Sequence, residues 1–292
     1  MNTGALPIPL SESPLNLLPR NASGSQVMGI LNVTPDSFSD GGAFARRDAA
    51  LAHAEAMVAA GADCIDIGGE STRPGARAVS AQEELDRVIP VIEALTAAIP
   101  VPLSIDTSKP AVMMAAAQAG AALINDVRAL REPGALAAAA QTGLPVCLMH
   151  MQGRPRTMQA EPRYADVTAE VLDFLQARAA ACAAAGIDRA KLLLDPGFGF
   201  GKTLEHNLTL FRALPQFVAT GLPILIGVSR KSMLGAWSGG ADVAQRLGGS
   251  LAAALLAAQM GVKIVRVHDV FETVQALQIL RTIQEKESFD AA

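Results

Sequence analysis

Leu103-Ser-Ile-Asp-Thr-Ser-Lys-Pro-Ala-Val-Met-Met-Ala-Ala-Ala-Gln-Ala-Gly-Ala-Ala-Leu-Ile-Asn-Asp126 holds one complete unit of this chain's architecture. The apolar run 103–105 ends in Asp106, and Pro110 then opens an Ala-rich stretch of helical length. Proline suits a first helical position, where the missing N–H has no intrahelical partner to lose. Gly120 stands where a helix ends in a left-handed residue, and a second apolar run, 122–124, ends in Asn125. Two short strands bracketing one helix read as a parallel pair with a helical crossover.

The same punctuation recurs along the whole sequence. Strands are expected at 27–31, 64–67, 103–105, 122–124, 146–148, 192–194, 224–227 and 264–267. Helices are expected at 49–60, 81–98, 110–119, 134–142, 167–185, 204–219, 243–260 and 272–285. Gly61, Gly120, Gly143, Gly186, Gly221 and Gly261 mark the helix stops. Strands that are apolar on both faces suit a parallel sheet wrapped by helices. Eight strand–helix units with none left over favour an α/β fold closed into a (β/α)8 TIM barrel over an open doubly wound sheet. We assign the barrel to residues 26–286, with 1–25 as an aperiodic lead-in and 287–292 as a short tail.

Half of the 292 residues are hydrophobic and 18% are charged, which predicts one large buried core. A net charge of −4 argues against a nucleic-acid binder, which needs a basic face. An anionic substrate would have to be held by a few local cations. Cys64, Cys147 and Cys182 fall in expected strands or helix and are odd in number, the usage of a reduced cytoplasmic protein. The start lacks a basic segment followed by an apolar one, and the uncharged stretches are too interrupted to span a membrane.

Each strand is followed by polar or chemically capable residues: Asn32, Glu70 to Arg73, Asp106, Asn125 with Asp126, Met149 with His150, Asp195, Ser229 to Lys231, and Arg266 with His268. A barrel gathers these strand ends at one mouth, so all are expected to face one pocket suited to a polar heterocycle with an anion beside it. Asp195 is acceptor-only and can take parallel N–H bonds from an amidine-like edge. Asp106 is free to face inward if Thr107 or Ser108 caps the next helix. Asn125 offers both a donor and an acceptor. Arg266 and His268 alternate on the last strand and so point the same way, forming with Arg73 a diphosphate clamp.

Asp195-Pro-Gly-Phe-Gly-Phe-Gly-Lys202 is not a phosphate-cradling P-loop, because Pro196 stands where that motif requires glycine. It reads as a glycine-rich turn. Lys231 could form a Schiff base, as in barrel aldolases, but a loop position between Arg230 and Ser232 suits a donor or anion ligand better. His53 and His206 read as ordinary helix residues. Metal-cage spacings such as HExxH are absent from the sequence, while a Mg²⁺ shared with a diphosphate needs few protein ligands. The long connections 32–45, 68–79 and 150–163 lie where lids of a barrel mouth lie.

At this level of detail the residues resemble a family. Met28-Gly-Ile-Leu-Asn-Val-Thr-Pro-Asp-Ser-Phe-Ser-Asp-Gly-Gly42 and Ile65-Asp-Ile-Gly-Gly-Glu-Ser-Thr-Arg-Pro-Gly75 are similar to two signatures of the dihydropteroate synthases. The likeness runs on through SIDTSKP, INDVRAL, CLMHMQG, LLLDPGFGFGK, GVSRKS and RVHDV, over residues 27–281. It implies a transferase of folate biosynthesis, a sulfonamide target, that joins 6-hydroxymethyl-7,8-dihydropterin diphosphate to 4-aminobenzoate and releases diphosphate. It further implies pterin contacts from Asp106, Asn125, Met149, Asp195, Phe200 and Lys231. Diphosphate would meet Asn32, Thr72, Arg73, Arg266 and His268, with Mg²⁺ at Asn32. Aminobenzoate would meet Phe38, Pro74, Lys231 and Ser232, and catalysis would rest on Lys231, Arg73, Arg266 and His268. The same resemblance implies a homodimer formed through barrel helices. Three rivals are a methyltetrahydrofolate-binding methyltransferase, a lysine-dependent aldolase and a non-catalytic pterin binder. The first would need a cobalamin-binding region, and the last would have lost Arg73, Lys231 or the first loop, all of which are present.

Overall fold

The computed structural model describes residues 24–34, 43–71, 75–154 and 157–284. Among them, eight parallel strands follow one another: β1 (Gln26–Asn32), β2 (Cys64–Gly68), β3 (Leu103–Asp106), β4 (Leu123–Asp126), β5 (Val146–Met149), β6 (Leu192–Asp195), β7 (Leu225–Ile226) and β8 (Ile264–Val267). They pair in the order β6-β5-β4-β3-β2-β1-β8-β7. A parallel bridge between Leu194 and Ile224 joins β6 to β7 and closes the barrel. The expected eightfold closure is what the chain adopts.

Helices α1 (Ala43–Ala59), α2 (Ala81–Ala98), α3 (Pro110–Ala119), α4 (Ala135–Thr142), α5 (Val167–Ala184), α6 (Leu204–Arg212), α7 (Leu214–Val218), α8 (Ser232–Trp237), α9 (Leu247–Gln259) and α10 (Val270–Gln284) alternate with the strands. The six glycines read as helix stops all have positive φ, from 67° at Gly143 to 110° at Gly120.

Period-two alternation along the strands builds two cores and then the site. Met28, Cys64, Leu123, Cys147, Leu193, Leu225 and Ile264 form one buried cluster that plugs the barrel. The residues between them, including Ile65, Ile105, Leu148 and Leu194, point outward into a larger cluster beneath the helices. Two residues beyond the plug, the inward positions are Asp66, Asn125, Met149, Asp195 and Arg266, with Asp106 two beyond Ser104. The same alternation that packs the core therefore delivers a polar layer to the mouth.

Several elements differ from expectation for local reasons. The expected helix 204–219 breaks into α6 and α7, because Pro215 lacks an N–H and starts a new helix. The expected helix 243–260 is a 3₁₀ turn, Val243–Gln245, followed by α9. α8 was not anticipated, and α1 begins at Ala43 instead of 49. Thr107 and Ser108 do not cap α3: its N-cap is Lys109, which makes no side-chain capping bond. The Ser108 hydroxyl is engaged by Asp126, and Thr107 Oγ1 accepts the Lys109 N–H at 3.2 Å. Pro110 alone provides the helix start. Ser25, assigned to the lead-in, bonds through its hydroxyl to the Val262 carbonyl.

Candidate active site

The floor of the mouth is a connected set of side chains from β2, β3, β4 and β8. Asp66 is wholly buried. Its Oδ2 accepts from Arg266 Nε at 2.5 Å and from Asn125 Nδ2 at 3.1 Å. Arg266 also donates from Nη2 to Asp106 Oδ2 at 2.9 Å. Burial pushes the Asp106 carboxyl up, to about 7, while Arg266 pulls it the other way. Burial likewise opposes charge on Arg266, yet Asp66 and Asp106 together raise the guanidinium above its usual value. Arg266 was expected to face a leaving group. Here two of its nitrogens serve the pocket floor.

Opposite this set, Asp195 ends β6. Its Oδ1 accepts the Gly197 N–H at 2.7 Å, the first contact of the glycine-rich turn. Burial raises the Asp195 carboxyl, with Lys231 and the Gly197 N–H pulling it down. Lys231 reaches back to the Phe198 carbonyl and lies 4.7 Å from the centre of the Phe200 ring. Burial lowers its ammonium to about 8, against the attraction of Asp195. Met149, Val127, Met151 and Met158 form an apolar cluster with Phe200 packed on it. The two expected ring walls, Met149 and Phe200, thus share one surface.

The glycine-rich turn carries no phosphate-binding lysine. Lys202 is buried, bonding to the Gly197 carbonyl at 2.8 Å, the Phe200 carbonyl at 3.1 Å and His150 Nδ1 at 2.9 Å. His150, expected at the mouth, is instead buried behind β5, edge-on to Phe174 of α5 with ring centres 4.8 Å apart. Burial and the Lys202 charge lower its imidazole to about 2, so it stays neutral. Burial lowers Lys202 to about 7.

Ser229 orients His268, its Oγ lying 3.1 Å from His268 Nδ1 and accepting the His268 N–H at 3.2 Å. Arg230, which has a positive φ of 58°, binds Asp269 with two nitrogens and so ties the loop carrying Lys231 to the loop carrying His268. Ser232 follows as the first residue of α8. Asn32 ends β1 opposite Gly68, and a Cβ placed on Gly68 would lie 3.9 Å from Asn32 Oδ1 and 3.6 Å from Asp106 Cβ. Asn32 and Asp106 therefore share one inner corner of the mouth. A cavity of about 590 Å³ opens beside Asp106, bordered by Glu70, Ser71, Ser108, Arg128 and Arg154. Lys109 binds Glu70 at 2.5 Å and also the buried Glu84, anchoring the root of the loop after β2.

Thr72, Arg73, Pro74 and Phe38 lie outside the described residues. The structure brings together Asp106, Asn125, Met149, Asp195, Phe200, Lys231 and Arg266 around one mouth, with Asn32, Ser232 and His268 at its rim. Ser229 was expected at the mouth and is there, Asp66 was missed as a member of the site, and Lys202, set aside with the P-loop reading, clamps the glycine-rich turn from behind. Asp66 had a visible signal: a carboxylate on the inner face of an otherwise apolar strand, between Cys64 and Gly68. Outside the mouth, His206 completes the capping box of α6 and His53 is exposed on α1.

Residues 28–268 match the model of the pterin binding enzymes. The chain belongs to that family. It is 56% identical to the dihydropteroate synthase of Escherichia coli K12 over 91% of its length and 94% of that protein. A Yersinia pestis dihydropteroate synthase solved with a sulfonamide drug superposes with a TM-score of 0.85 at 57% identity, covering 91% of this chain and 96% of the other. A Xanthomonas albilineans dihydropteroate synthase in complex with 7,8-dihydropteroate does so with a TM-score of 0.82 at 50% identity, covering 91% and 95%. The fold of these relatives is thus shared over 91% of the chain.

Proposed function

We propose that this pterin binding enzyme is a dihydropteroate synthase, joining 6-hydroxymethyl-7,8-dihydropterin diphosphate to 4-aminobenzoate. The observation that carries the reading is the set of acceptors Asp106, Asn125 and Asp195 at one mouth, beside the apolar wall of Met149 and Phe200. A flat ring with several N–H donors on its edge satisfies the first and stacks on the second. A sugar offers donors without a flat apolar ring, and an acyl chain offers apolar surface without donors, so each meets only half of the pocket.

The reaction breaks the bond between the pterin methylene and the diphosphate oxygen and forms a methylene–nitrogen bond. Conjugation with the dihydropterin stabilises positive charge on the methylene, so the leaving group can depart ahead of attack. The chain then has three tasks: hold the ring still, neutralise the departing diphosphate, and place the arylamine. Ring contacts fall to Asp106, Asn125, Asp195 and Lys231. Arg73, His268 and Thr72 meet the diphosphate, joined by whatever donor capacity Arg266 has beyond its two carboxylates. Phe38, Pro74, Lys231 and Ser232 border the arylamine, which is neutral and can shed its proton after attack without a dedicated base.

A Mg²⁺ fits this site only as a companion of the diphosphate. Among the described residues no group of three or more His, Cys, Asp or Glu side chains converges to hold a metal. Asn32 offers one neutral oxygen, which suits an ion that keeps most of its ligands from phosphate and water. When bound, the ion would supply charge neutralisation to the leaving group.

A second copy of the chain is the expected partner. Leu256 of α9 and Phe271, Ile279 and Ile283 of α10 are 48–77% exposed, an apolar face on adjacent barrel helices. A cytoplasmic location is supported by three buried free cysteines and by the absence, among the described residues, of a helix long and apolar enough to cross a membrane.

The test is diphosphate release from the pterin diphosphate, measured with and without 4-aminobenzoate. Turnover is expected only with both. A sulfonamide should compete with aminobenzoate, as its binding to the Yersinia pestis relative suggests. Borohydride trapping of a carbonyl substrate on Lys231 would support the aldolase reading instead.

A further inference from the structure

Asn125 is the amide bonded into the polar floor by Asp66, and an amide is chemically two-faced: its nitrogen donates and its oxygen accepts. Which face meets a ligand depends on what holds the other. In this pocket the holder is Asp66, whose Oδ2 takes the Asn125 Nδ2 hydrogen bond at 3.1 Å while also receiving Arg266 Nε at 2.5 Å. An oxygen paired with a guanidinium has no proton to offer. The reverse amide orientation would set two acceptor oxygens against each other inside a buried site. Asp66 is held in turn: it is wholly buried on β2, and Arg266 is braced from its other side by Asp106.

We infer that Asp66 is a positioning residue that locks the Asn125 amide with its carbonyl oxygen away from β2, so that this oxygen becomes a fixed acceptor for a ring N–H. Asn125 and Asp106 are register partners on neighbouring strands. Locking the amide places a neutral acceptor next to an ionisable one, and the pocket then discriminates by hydrogen-bond pattern: a heterocycle with an N–H at that point is accepted, and one with a lone pair there is refused. The inference rests on the ring-binding role proposed for Asn125.

The experiment is a double-mutant cycle on calorimetric binding of 6-hydroxymethyl-7,8-dihydropterin, using Asp66→Asn, Asn125→Ala and the pair. Thermal melts establish that each variant is folded. Asp66→Asn is isosteric but can offer a donor or an acceptor, so it unlocks the amide. We expect at least a tenfold loss of affinity in each single variant, and less than a threefold further loss when Asp66→Asn is added to Asn125→Ala. The KM for aminobenzoate, measured at saturating pterin diphosphate, should move less than threefold throughout. A residue that merely packs would give losses that multiply in the pair, and that result overturns the inference. So does an Asp66→Asn affinity within threefold of the parent. If Asn125→Ala leaves affinity unchanged, the ring role of Asn125 itself is wrong and the inference falls with it. Should Asp66→Asn fail to fold, Asp66→Ala, which can accept nothing, goes through the same cycle with the same criteria.

Discussion

Arg266 sits between two carboxylates, and that placement sets what its loss should do. A cation facing only the leaving group would affect turnover and spare the affinity for the bare pterin alcohol, which is what the alternation of Arg266 and His268 along β8 suggests. The geometry says otherwise, because Arg266 bonds both Asp66 and Asp106. Removing one member of a buried ion cluster typically costs about 3–5 kcal/mol, since the remaining charges lose their compensation. We predict that Arg266→Ala weakens pterin-alcohol binding at least tenfold as well as lowering kcat. The Asp106 carboxyl, already raised by burial, should then become harder still to ionise. Calorimetry alongside steady-state kinetics separates the two effects, and an unchanged affinity would return Arg266 to the leaving group alone.

At the scale of elements, the legibility of this chain tracks how strongly each boundary is enforced. The strands were readable because each apolar run ends in a polar residue, and six of the helices because glycine stops them, whereas α2 ends at Ile99 without one. What escaped were features set by tertiary contact. α8 is six residues long and is bounded by neither glycine nor proline at its start, so nothing local announces it. Pro215 divides α6 from α7, whereas Pro90 lies inside α2 without interrupting it. Sequence alone does not say which proline a packed surface will tolerate. His150 looked like a mouth residue because it follows β5, but one step of alternation turns it outward against α5. The glycine-rich turn was read as a turn, and Gly197 shows why it must be one. Its φ is 70°, and a Cβ there would lie 1.9 Å from the His150 carbonyl oxygen. Backbone strain alone costs on the order of 1–3 kcal/mol, and the clash adds to it. Gly197→Ala should therefore lower the melting temperature by roughly 3 °C or more. It should also weaken pterin binding, because Phe198, Phe200 and the seat of Lys231 move with the turn. A melt and an affinity both equal to the parent's would show that the turn is not held by this contact.

At the scale of the whole molecule, the barrel mouth collects buried ionisable groups whose charged forms burial disfavours, and folding stability inherits a pH dependence from them. Lys202 isolates this effect. It has no direct place among the proposed ligand contacts, and its ammonium is lowered from 10.5 to about 7 by burial. In the unfolded chain this lysine keeps its proton up to its ordinary value, whereas in the folded chain it loses it from about 7 upward. The unfolded state therefore binds more protons between those limits, and stability rises with pH across that window. The contribution is fully present above the unfolded value and is lost as pH falls toward 7, with a slope of at most about 1.4 kcal/mol per pH unit. Other groups in the chain titrate as well, so the measurement must be a difference. The stability of the parent minus that of Lys202→Met, from urea unfolding at a series of pH values, removes every term the two proteins share. That difference should be nearly flat below pH 7 and climb in favour of the parent from pH 7 to 9. The carbonyls of Gly197 and Phe200 lose a donor in the variant, which offsets the curve, and the loss of the Lys202 charge also eases protonation of the buried His150, an effect that falls below pH 7 and outside the window of the rise. A difference that is flat throughout, or that falls with rising pH, would mean that Lys202 keeps its proton in the folded barrel and that the turn is clamped by a full ammonium charge.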